Sequence, residues 1–424
     1  MNKPELVAPA GNMEKLKYAL AFGADAVYAG QPRFSLRARD NGFKTLDDIK
    51  KGIDYCHERG KRFFLTSNII PHNNKVETFS RSLADFAALH PDALIMSDPG
   101  IIRYVRETFP DIEIHLSVQA NCTNWMTTKF WKDMGIKRVI LSRELGMDEI
   151  ATIHEKVSDV ELEVFVHGSV CMAYSGRCML SNYMAYRDSN QGLCANACRF
   201  NYKLYASNTP QEEDYKTLDR KYYIKNTQNP DDELMLMDED EYGTYILNSK
   251  DICGIESLEK LIKSGVCSFK IEGRTRSLYY LSVVARSYHG AINDLTMGQP
   301  IDEHHVENLQ KLDSRGYMPG FYAEKRVNPQ NFETTRVTSN VAHVAAIVRG
   351  YQENEKKAIL SIKGTIRKGD RLEVLRPEKS EVIQAEGLLN HKGLPAEKLS
   401  SGLENCSIDM SFDPGEYCLL LNLH

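Results

Sequence analysis

The feature that most constrains the fold of this 424-residue chain is an alternation of short apolar runs with amphipathic segments. The apolar runs are rich in Val, Ile, Leu and Phe, which is typical of strands buried on both faces of a parallel sheet. Eight of them lie in the first two thirds of the chain. They span residues 5–11, 26–30, 62–68, 93–98, 113–119, 138–145, 162–168 and 268–274.

Helical patterns separate these runs, most clearly at residues 45–59, 75–89 and 123–134. Eight strand–helix units predict an α/β fold, a (β/α)8 TIM-like barrel whose domain extends over residues 1–335. A doubly wound open sheet is the alternative.

The alternation is interrupted once, after the seventh strand. Residues 169–255 precede the next clear helix, at 256–265, and this is far longer than an ordinary strand–helix connection. We therefore predict a long insertion after strand 7. Because the loops that follow barrel strands form the active face, the insertion should lie at the catalytic end.

The tail changes character. Residues 341–348, 357–363 and 371–375 alternate like strands and are separated by turn signals. Residues 336–424 are therefore predicted to form a small, separate β-barrel domain.

The composition is that of a soluble globular protein, with 42% hydrophobic and 26% charged residues. No apolar run is long enough to span a membrane, and the N-terminal sequence lacks the apolar region of a signal peptide, so we expect a cytoplasmic protein without a membrane partner. The net charge of −5 excludes a general attraction to polyanions, so a nucleic-acid site would have to be local.

Four of the ten cysteines lie within one short stretch, separated by 6, 15 and 3 residues. In the cytosol such a cluster points to metal or redox chemistry. The spacing fits a structural zinc ion and an iron–sulfur cluster about equally, while the location on the active face favours the iron–sulfur cluster. The four residues are Cys171, Cys178, Cys194 and Cys198.

Polar residues at the carboxyl ends of the predicted strands are further candidates, because barrel enzymes place reactive groups there. Arg177 and Arg187 lie among the cysteines and could bind an anion beside the cluster. The protease motifs H-E-x-x-H and G-x-S-x-G are absent from the sequence. The strand-end candidates are Asn68, Gln119, Arg143, His167, Glu272 and Arg274.

The segment from Glu163 to Ser181 resembles the signature of the collagenase-like peptidase family of U-32 type, E-x-F-x-x-G-[SA]-[LIVM]-C-x4-G-x-C-x-[LIVM]-S, at every position. The resemblance covers essentially the whole chain, including residues 6–11, 23–30, 243–251 and 270–274. Within the family, the layout and the run at 240–245 are most similar to the tRNA 5-hydroxyuridine synthase branch.

This resemblance implies an oxygen-independent hydroxylase with a [4Fe–4S] cluster on the four cysteines. It implies the wobble uridine of tRNA as the substrate and prephenate as the hydroxyl donor, and an electron donor protein is a further expected partner. We expect catalytic roles for Arg177, Arg187, Arg274, Glu272 and His167. The alternatives are a collagenase-like peptidase, a hydroxylase of ribosomal RNA or ubiquinone, and a zinc-stapled RNA-binding protein.

Overall fold

The computed structural model describes residues 3–199, 249–322 and 342–423, together with the backbone of five short strands between residues 205 and 245. Its main sheet is a closed barrel of eight parallel strands. Seven of them precede the cysteine segment: β1 (Glu5–Pro9), β2 (Ala26–Gly30), β3 (Arg62–Ser67), β4 (Ala93–Met96), β5 (Ile114–Leu116), β6 (Arg138–Ile140) and β7 (Glu161–Ser169).

The segment after β7 returns to the barrel through a strand that sequence reasoning missed. The backbone forms five short strands, then β13 (Asp251–Cys253), which pairs antiparallel with β7. The eighth barrel strand, β14 (Val266–Ile271), follows, and later β15 (Tyr317–Met318) pairs with β13. The five short strands are β8 (Tyr205–Ala206), β9 (Lys216–Thr217), β10 (Tyr222–Ile224), β11 (Met235–Asp240) and β12 (Gly243–Tyr245).

The barrel closes because β14 pairs with both β1 and β7. Leu6 lies opposite Phe269, and Phe269 lies opposite Val164, all in parallel register. This closure confirms the predicted TIM-like barrel and excludes the open sheet.

Helices surround the barrel, and their starts follow local sequence signals. Thr45 and Asp48 form a capping box at one helix, and Asp98 caps another, in which Pro99 takes the first position. Within the described residues, no helix is long and apolar enough to cross a bilayer. The helices are α1 (Met13–Ala21), α2 (Leu46–His57), α3 (Asn73–Ala87), α4 (Pro99–Thr108), α5 (Trp125–Asp133), α6 (Met147–Lys156), α7 (Leu180–Ala185), α8 (Leu258–Lys263), α9 (Leu278–Thr296) and α10 (Glu303–Gln310).

The barrel interior carries a network of buried charges. Arg138 lies 2.6 Å from Glu5 and 3.1 Å from Glu163, while the ammonium of Lys270 lies 2.6 Å from Glu163. Burial alone would raise the pKa of Glu163, but the charges of Lys270 and Arg138 outweigh it and lower the pKa to about 2. Glu163, the first residue of the family signature, is therefore an ionised structural anchor of β7.

The C-terminal region is an antiparallel half-barrel. The predicted small β-barrel is therefore confirmed, with the sheet open rather than fully closed. Six of its strands form one sheet in the order β20-β19-β23-β16-β17-β22. The predicted domain boundary at 335/336 lies outside the described residues. The strands are β16 (Ala342–Gln352), β17 (Lys357–Ile362), β18 (Ile366–Arg367), β19 (Arg371–Leu375), β20 (Ser380–Gln384), β21 (Lys398–Leu399), β22 (Cys406–Asp409) and β23 (Leu419–Leu423).

The half-barrel packs against the helical wall of the barrel. The hydroxyl oxygens of Tyr55 and Tyr417 are 2.7 Å apart, and Arg349 lies 2.6 Å from Glu14. Strand β23 has side chains in two cores: Leu419 and Leu421 belong to the hydrophobic core shared with the barrel, whereas Leu420 belongs to the core of the half-barrel.

Candidate active site at the barrel mouth

A cavity of about 180 Å³ opens at the carboxyl ends of the barrel strands. Residues at or just beyond the ends of several strands line it, which is where TIM barrels carry their reactive groups. All four clustered cysteines line the same cavity. Other lining residues are Tyr28, Arg37, Asn68, Gln119, Arg143, Phe165, Met172, Tyr174, Asn196, Lys270, Glu272 and Arg274.

Two glycines let the cysteine segment fold closely over the mouth. Gly176 and Gly192 have φ angles of 76° and 80°, in the left-handed region that favours glycine. A Cβ atom at position 176 would clash with the carbonyl oxygen of Gln119, and one at 192 would lie 2.7 Å from the carbonyl oxygen of Ser35. Both close approaches therefore require glycine.

Hydrogen bonds hold the cysteine backbone in place. The Ser189 hydroxyl donates to the carbonyl oxygen of Cys178 at 2.9 Å. The Arg187 guanidinium donates to the carbonyl oxygens of Leu193 at 2.9 Å and of Cys194 at 3.4 Å. Arg187 therefore positions the second cysteine pair through backbone contacts.

Arg177 is placed differently from what its sequence position suggested. Its side chain is exposed and does not line the cavity. Its backbone N–H donates to the carbonyl oxygen of Tyr174 at 2.9 Å and so closes a turn. Nearness in sequence to two cysteines did not bring this guanidinium to the mouth.

Arg274 does reach the cavity. One of its terminal nitrogens donates to the carbonyl oxygen of Leu36, while the other, Nη1, is buried and has no hydrogen-bond partner among the described residues. Burial lowers the pKa of this guanidinium. A Cβ atom at Gly30 would lie 2.6 Å from Nη1, so the glycine makes room for the arginine.

Arg143 is a second guanidinium at the cavity. Its carbon Cζ lies 4.0 Å from the centre of the Phe165 ring, a cation–π stack that fixes its plane. Its Nε is buried and has no hydrogen-bond partner within the part of the chain that the structure describes. Two guanidinium groups with unused donors thus face one small cavity, an arrangement suited to carboxylates.

Glu272 lies beside these cations. The Tyr28 hydroxyl donates to the carbonyl oxygen of Ile271 at 3.0 Å and lies 3.3 Å from Oε2 of Glu272. Burial raises the pKa of Tyr28 well above its usual value, so this phenol stays protonated and acts as a donor.

His167 does not line the cavity. Its ring lies among those of Tyr280, Tyr288 and Tyr317, with centroid distances of 5.7, 5.5 and 5.4 Å, on the side of α9. Burial lowers the pKa of His167 to about 3, and Asp251 and Arg276 oppose each other in their smaller effects. A β-bulge between β14 and β7 at this position turns the side chain away from the mouth.

The donor set fits a metal centre in its chemistry, since four thiols border one cavity. Across residues 3–199, 249–322 and 342–423, no three His, Cys, Asp or Glu side chains are close enough together to hold a metal ion. A cluster would therefore have to draw the thiolates together as it binds.

A larger, basic cavity of about 670 Å³ adjoins the first and shares Arg37, Ser169, Asn196 and Glu272 with it. Lys15, Arg276 and Arg315 also line it. Arg37 donates to the side-chain oxygen of Asn196 at 3.2 Å and so connects the basic cavity to the cysteine segment. Sequence reasoning did not identify Lys15, Tyr28 and Arg37 as site residues. They lie far along the chain from the cysteines, and no sequence pattern indicated that they line the cavities.

Comparison with known proteins places these features in context. The sequence profile of peptidase family U32 matches residues 11–331. The tRNA hydroxylation protein P of Haemophilus influenzae is 45% identical over 92% of this chain and 89% of its own length. The 23S rRNA 5-hydroxycytidine C2501 synthase of Escherichia coli is 34% identical over 67% of this chain and 38% of its own length. A protein named Collagenase from Porphyromonas gingivalis is 30% identical over 95% of this chain and 94% of its own length.

Proposed function

The chain belongs to peptidase family U32, and from this premise we propose that it is a tRNA-modifying enzyme. In this proposal it hydroxylates C5 of the wobble uridine without molecular oxygen. A [4Fe–4S] cluster on Cys171, Cys178, Cys194 and Cys198 is the cofactor, and prephenate is the co-substrate. The observation that carries the proposal is the meeting of four cysteines and two guanidinium groups in one cavity at the barrel mouth, in a chain 45% identical to a tRNA hydroxylation protein.

Because the four cysteines would each hold one iron, the cluster would supply electron transfer at the cavity. The overall exchange balances if the hydroxyl group of the donor and the hydrogen at C5 of uridine change places. In that case no net oxidant is consumed. An electron donor protein would then serve only to set the cluster's oxidation state.

Arg274 and Arg143 are suited to hold the two carboxylates of prephenate. Each presents a buried nitrogen that lacks a partner among the described residues. Because a desolvated guanidinium is stabilised by an anion, binding of a carboxylate would offset the burial that lowers the pKa of Arg274. Lys270 also lines the cavity, but its ammonium is bound to Glu163.

Glu272 and Tyr28 are the nearby groups that could orient or exchange a proton. The phenol of Tyr28 stays protonated and donates, while Glu272 offers a carboxylate at the edge shared by the two cavities. In the adjoining basic cavity Arg276 and Arg315 pair with Asp251, so Lys15 and Arg37 are the cations suited to phosphates of the RNA around the reacting nucleotide.

The test is mass spectrometry of tRNA nucleosides from a strain that lacks the chain and its relatives. Expression of the wild-type chain should restore 5-hydroxyuridine, and Cys178→Ala should not. Cys253→Ala is the matched control: this thiol lies in β13, does not line the cavity, and burial raises its pKa to about 11. If Cys178→Ala restores 5-hydroxyuridine, the reaction does not need the four-cysteine cluster. If the wild type does not restore 5-hydroxyuridine, the assignment of tRNA as the substrate is refuted.

A collagenase-like peptidase is the second candidate, because the relative from Porphyromonas gingivalis carries that name. Zinc in place of iron would instead support an RNA-binding protein without catalysis. Anaerobic purification distinguishes the iron–sulfur enzyme from the zinc protein, since an iron–sulfur protein is brown and a zinc protein is colourless. Cleavage of gelatin by the purified chain, abolished by a substitution at the cavity, would favour the peptidase.

A further inference from the structure

The cysteine segment also carries a surface that the proposed reaction leaves unexplained. Three of its tyrosines are among the most exposed aromatic residues described: Tyr186 is 92%, Tyr183 82% and Tyr174 63% exposed. Fourteen large hydrophobic residues are exposed in the described part of the chain, and six of them lie between positions 172 and 186, so the exposure is concentrated here. We name these six the tyrosine surface: Met172, Tyr174, Met179, Tyr183, Met184 and Tyr186.

The tyrosine surface rests on a fixed support. Helix α7 ends at Ala185, and its C-cap Tyr186 has a φ of 51°, in the left-handed region that bulky residues rarely adopt. The Ser181 hydroxyl donates to the carbonyl oxygen of Arg187 at 2.7 Å and accepts from the N–H of Ala195 at 2.8 Å. The Ser181 hydroxyl therefore ties this strained turn to Ala195, which lies between Cys194 and Cys198, and the Tyr186 side chain remains exposed.

Part of the tyrosine surface belongs to the candidate active site. Met172 and Tyr174 line the cysteine cavity, while Tyr183 and Tyr186 lie on the exposed side of the same segment. A ligand that covers the tyrosine surface would therefore also reach the mouth of the cavity.

The charge of the segment indicates what kind of ligand fits. Residues 172–187 contain two arginines and no acidic residue, although the chain as a whole has a net charge of −5. Arg177 is exposed among the tyrosines. Flat rings beside an exposed guanidinium suit unpaired nucleotides, whose bases stack on aromatic side chains while their phosphates pair with arginine.

We propose that the tyrosine surface is a stacking platform for single-stranded RNA. The unpaired nucleotides flanking the target stack on Tyr174, Tyr183 and Tyr186, and the target base enters the cavity between the cysteines and Arg274. This inference rests on the proposed function for the identity of the RNA, and it adds the residues that select a loop over a duplex.

The test measures the affinity of the full-length protein for an anticodon stem-loop RNA at a fixed salt concentration, with fluorescence anisotropy. Tyr183→Ala and Tyr186→Ala should each weaken binding about tenfold, because each removes one stacked ring. Tyr183→Phe and Tyr186→Phe keep the ring and should bind like the wild type. A fully paired duplex of equal length should bind weakly to all variants. Phe130→Ala is the matched control, since this ring in α5 is 53% exposed but lies outside the tyrosine surface.

The outcomes separate this inference from the proposed function. Wild-type protein that binds the loop through the tyrosines but never hydroxylates it supports the platform and refutes the reaction. Alanine variants that bind as tightly as the wild type refute the platform, even if hydroxylation proceeds, and would leave a protein partner as its occupant. Equal losses in the alanine and phenylalanine variants would also refute stacking, as would wild-type protein that does not bind the loop.

Discussion

Arg274 is the single residue on which the proposed binding of a carboxylate depends most. Its Nη1 is buried without a partner among the described residues, and Gly30 leaves the space that it occupies. Lysine retains the charge but not the planar pair of donors, so Arg274→Lys should lower the rate of uridine hydroxylation by about 10- to 100-fold. Iron content should not change, because Arg274 is not a thiolate ligand.

Hydroxylation of a tRNA transcript under anaerobic conditions measures this effect. Arg103→Lys on α4 is the control, because its guanidinium is exposed and pairs with Glu107 one turn along the same helix. A normal rate for Arg274→Lys would place the carboxylate site elsewhere in the cavity.

His167 is expected to affect the free energy of unfolding rather than the chemistry of the cavity, which it does not line. In the folded protein burial lowers its pKa to about 3, whereas in the unfolded chain the pKa is about 6.5. Between these values the unfolded state binds the additional proton. The stabilising contribution is therefore complete above pH 6.5 and is lost as the pH falls towards 3, with about 2 kcal/mol lost by pH 5.

His167→Asn keeps a donor near Tyr288 but cannot titrate. Urea unfolding gives the free energy of unfolding of both proteins at pH 7 and at pH 5. The wild-type value minus the variant value should be about 2 kcal/mol lower at pH 5 than at pH 7. Parallel pH profiles for the two proteins would show that another group is responsible.

At the scale of elements, strand β7 depends on the ionised carboxylate of Glu163. Glu163→Gln leaves the charges of Arg138 and Lys270 partly uncompensated inside the barrel, so we expect a loss of about 3–5 kcal/mol in the free energy of unfolding. Glu259→Gln is the control, because its pair with Lys263 is exposed and should contribute less than about 0.5 kcal/mol. A loss below about 1 kcal/mol for Glu163→Gln would contradict the role of the network.

Sequence periodicity predicted the eight barrel strands because each is a buried apolar run with an amphipathic helix beside it. Several predicted ends extended too far: the run at 138–145 contains only Arg138–Ile140 as a strand. Leu141 and Leu145 beyond it are also buried, so apolar character continues where the strand pairing stops.

Periodicity could not find β13, since three residues give no pattern and its partner β7 lies about eighty residues earlier. For the site, the cysteines and Arg274 were identifiable from clustering and from position at a strand end. Arg177 was also chosen for its position, yet the turn at Gly176 directs its side chain to the surface. Side-chain direction after a turn is not encoded in sequence spacing.

At the scale of the whole molecule, the half-barrel and the barrel share a hydrophobic core. Leu421 is 1% exposed and lies in that shared core. Both tryptophans, Trp125 and Trp131, lie in α5 of the barrel, so their fluorescence reports on the barrel alone. Leu421→Ala should therefore lower the free energy of unfolding measured by tryptophan fluorescence by about 2–5 kcal/mol, although the substitution lies in the half-barrel.

Val382→Ala on β20 is the matched control, because this side chain is 54% exposed. A tryptophan transition that does not move in Leu421→Ala, while circular dichroism shows loss of the half-barrel, would mean that the two domains unfold independently.

The measurement that tests the central claim most directly is reconstitution with purified components. Anaerobically purified wild-type protein is incubated with a tRNA transcript and with prephenate that carries a heavy oxygen isotope in its hydroxyl group, and the nucleosides are analysed by mass spectrometry. We predict a wobble uridine that has gained one heavy oxygen, and no product with Cys198→Ala, whose thiol lines the cavity. A product with ordinary oxygen would contradict prephenate as the donor, and full activity of Cys198→Ala would contradict the cysteine cavity as the site of the reaction.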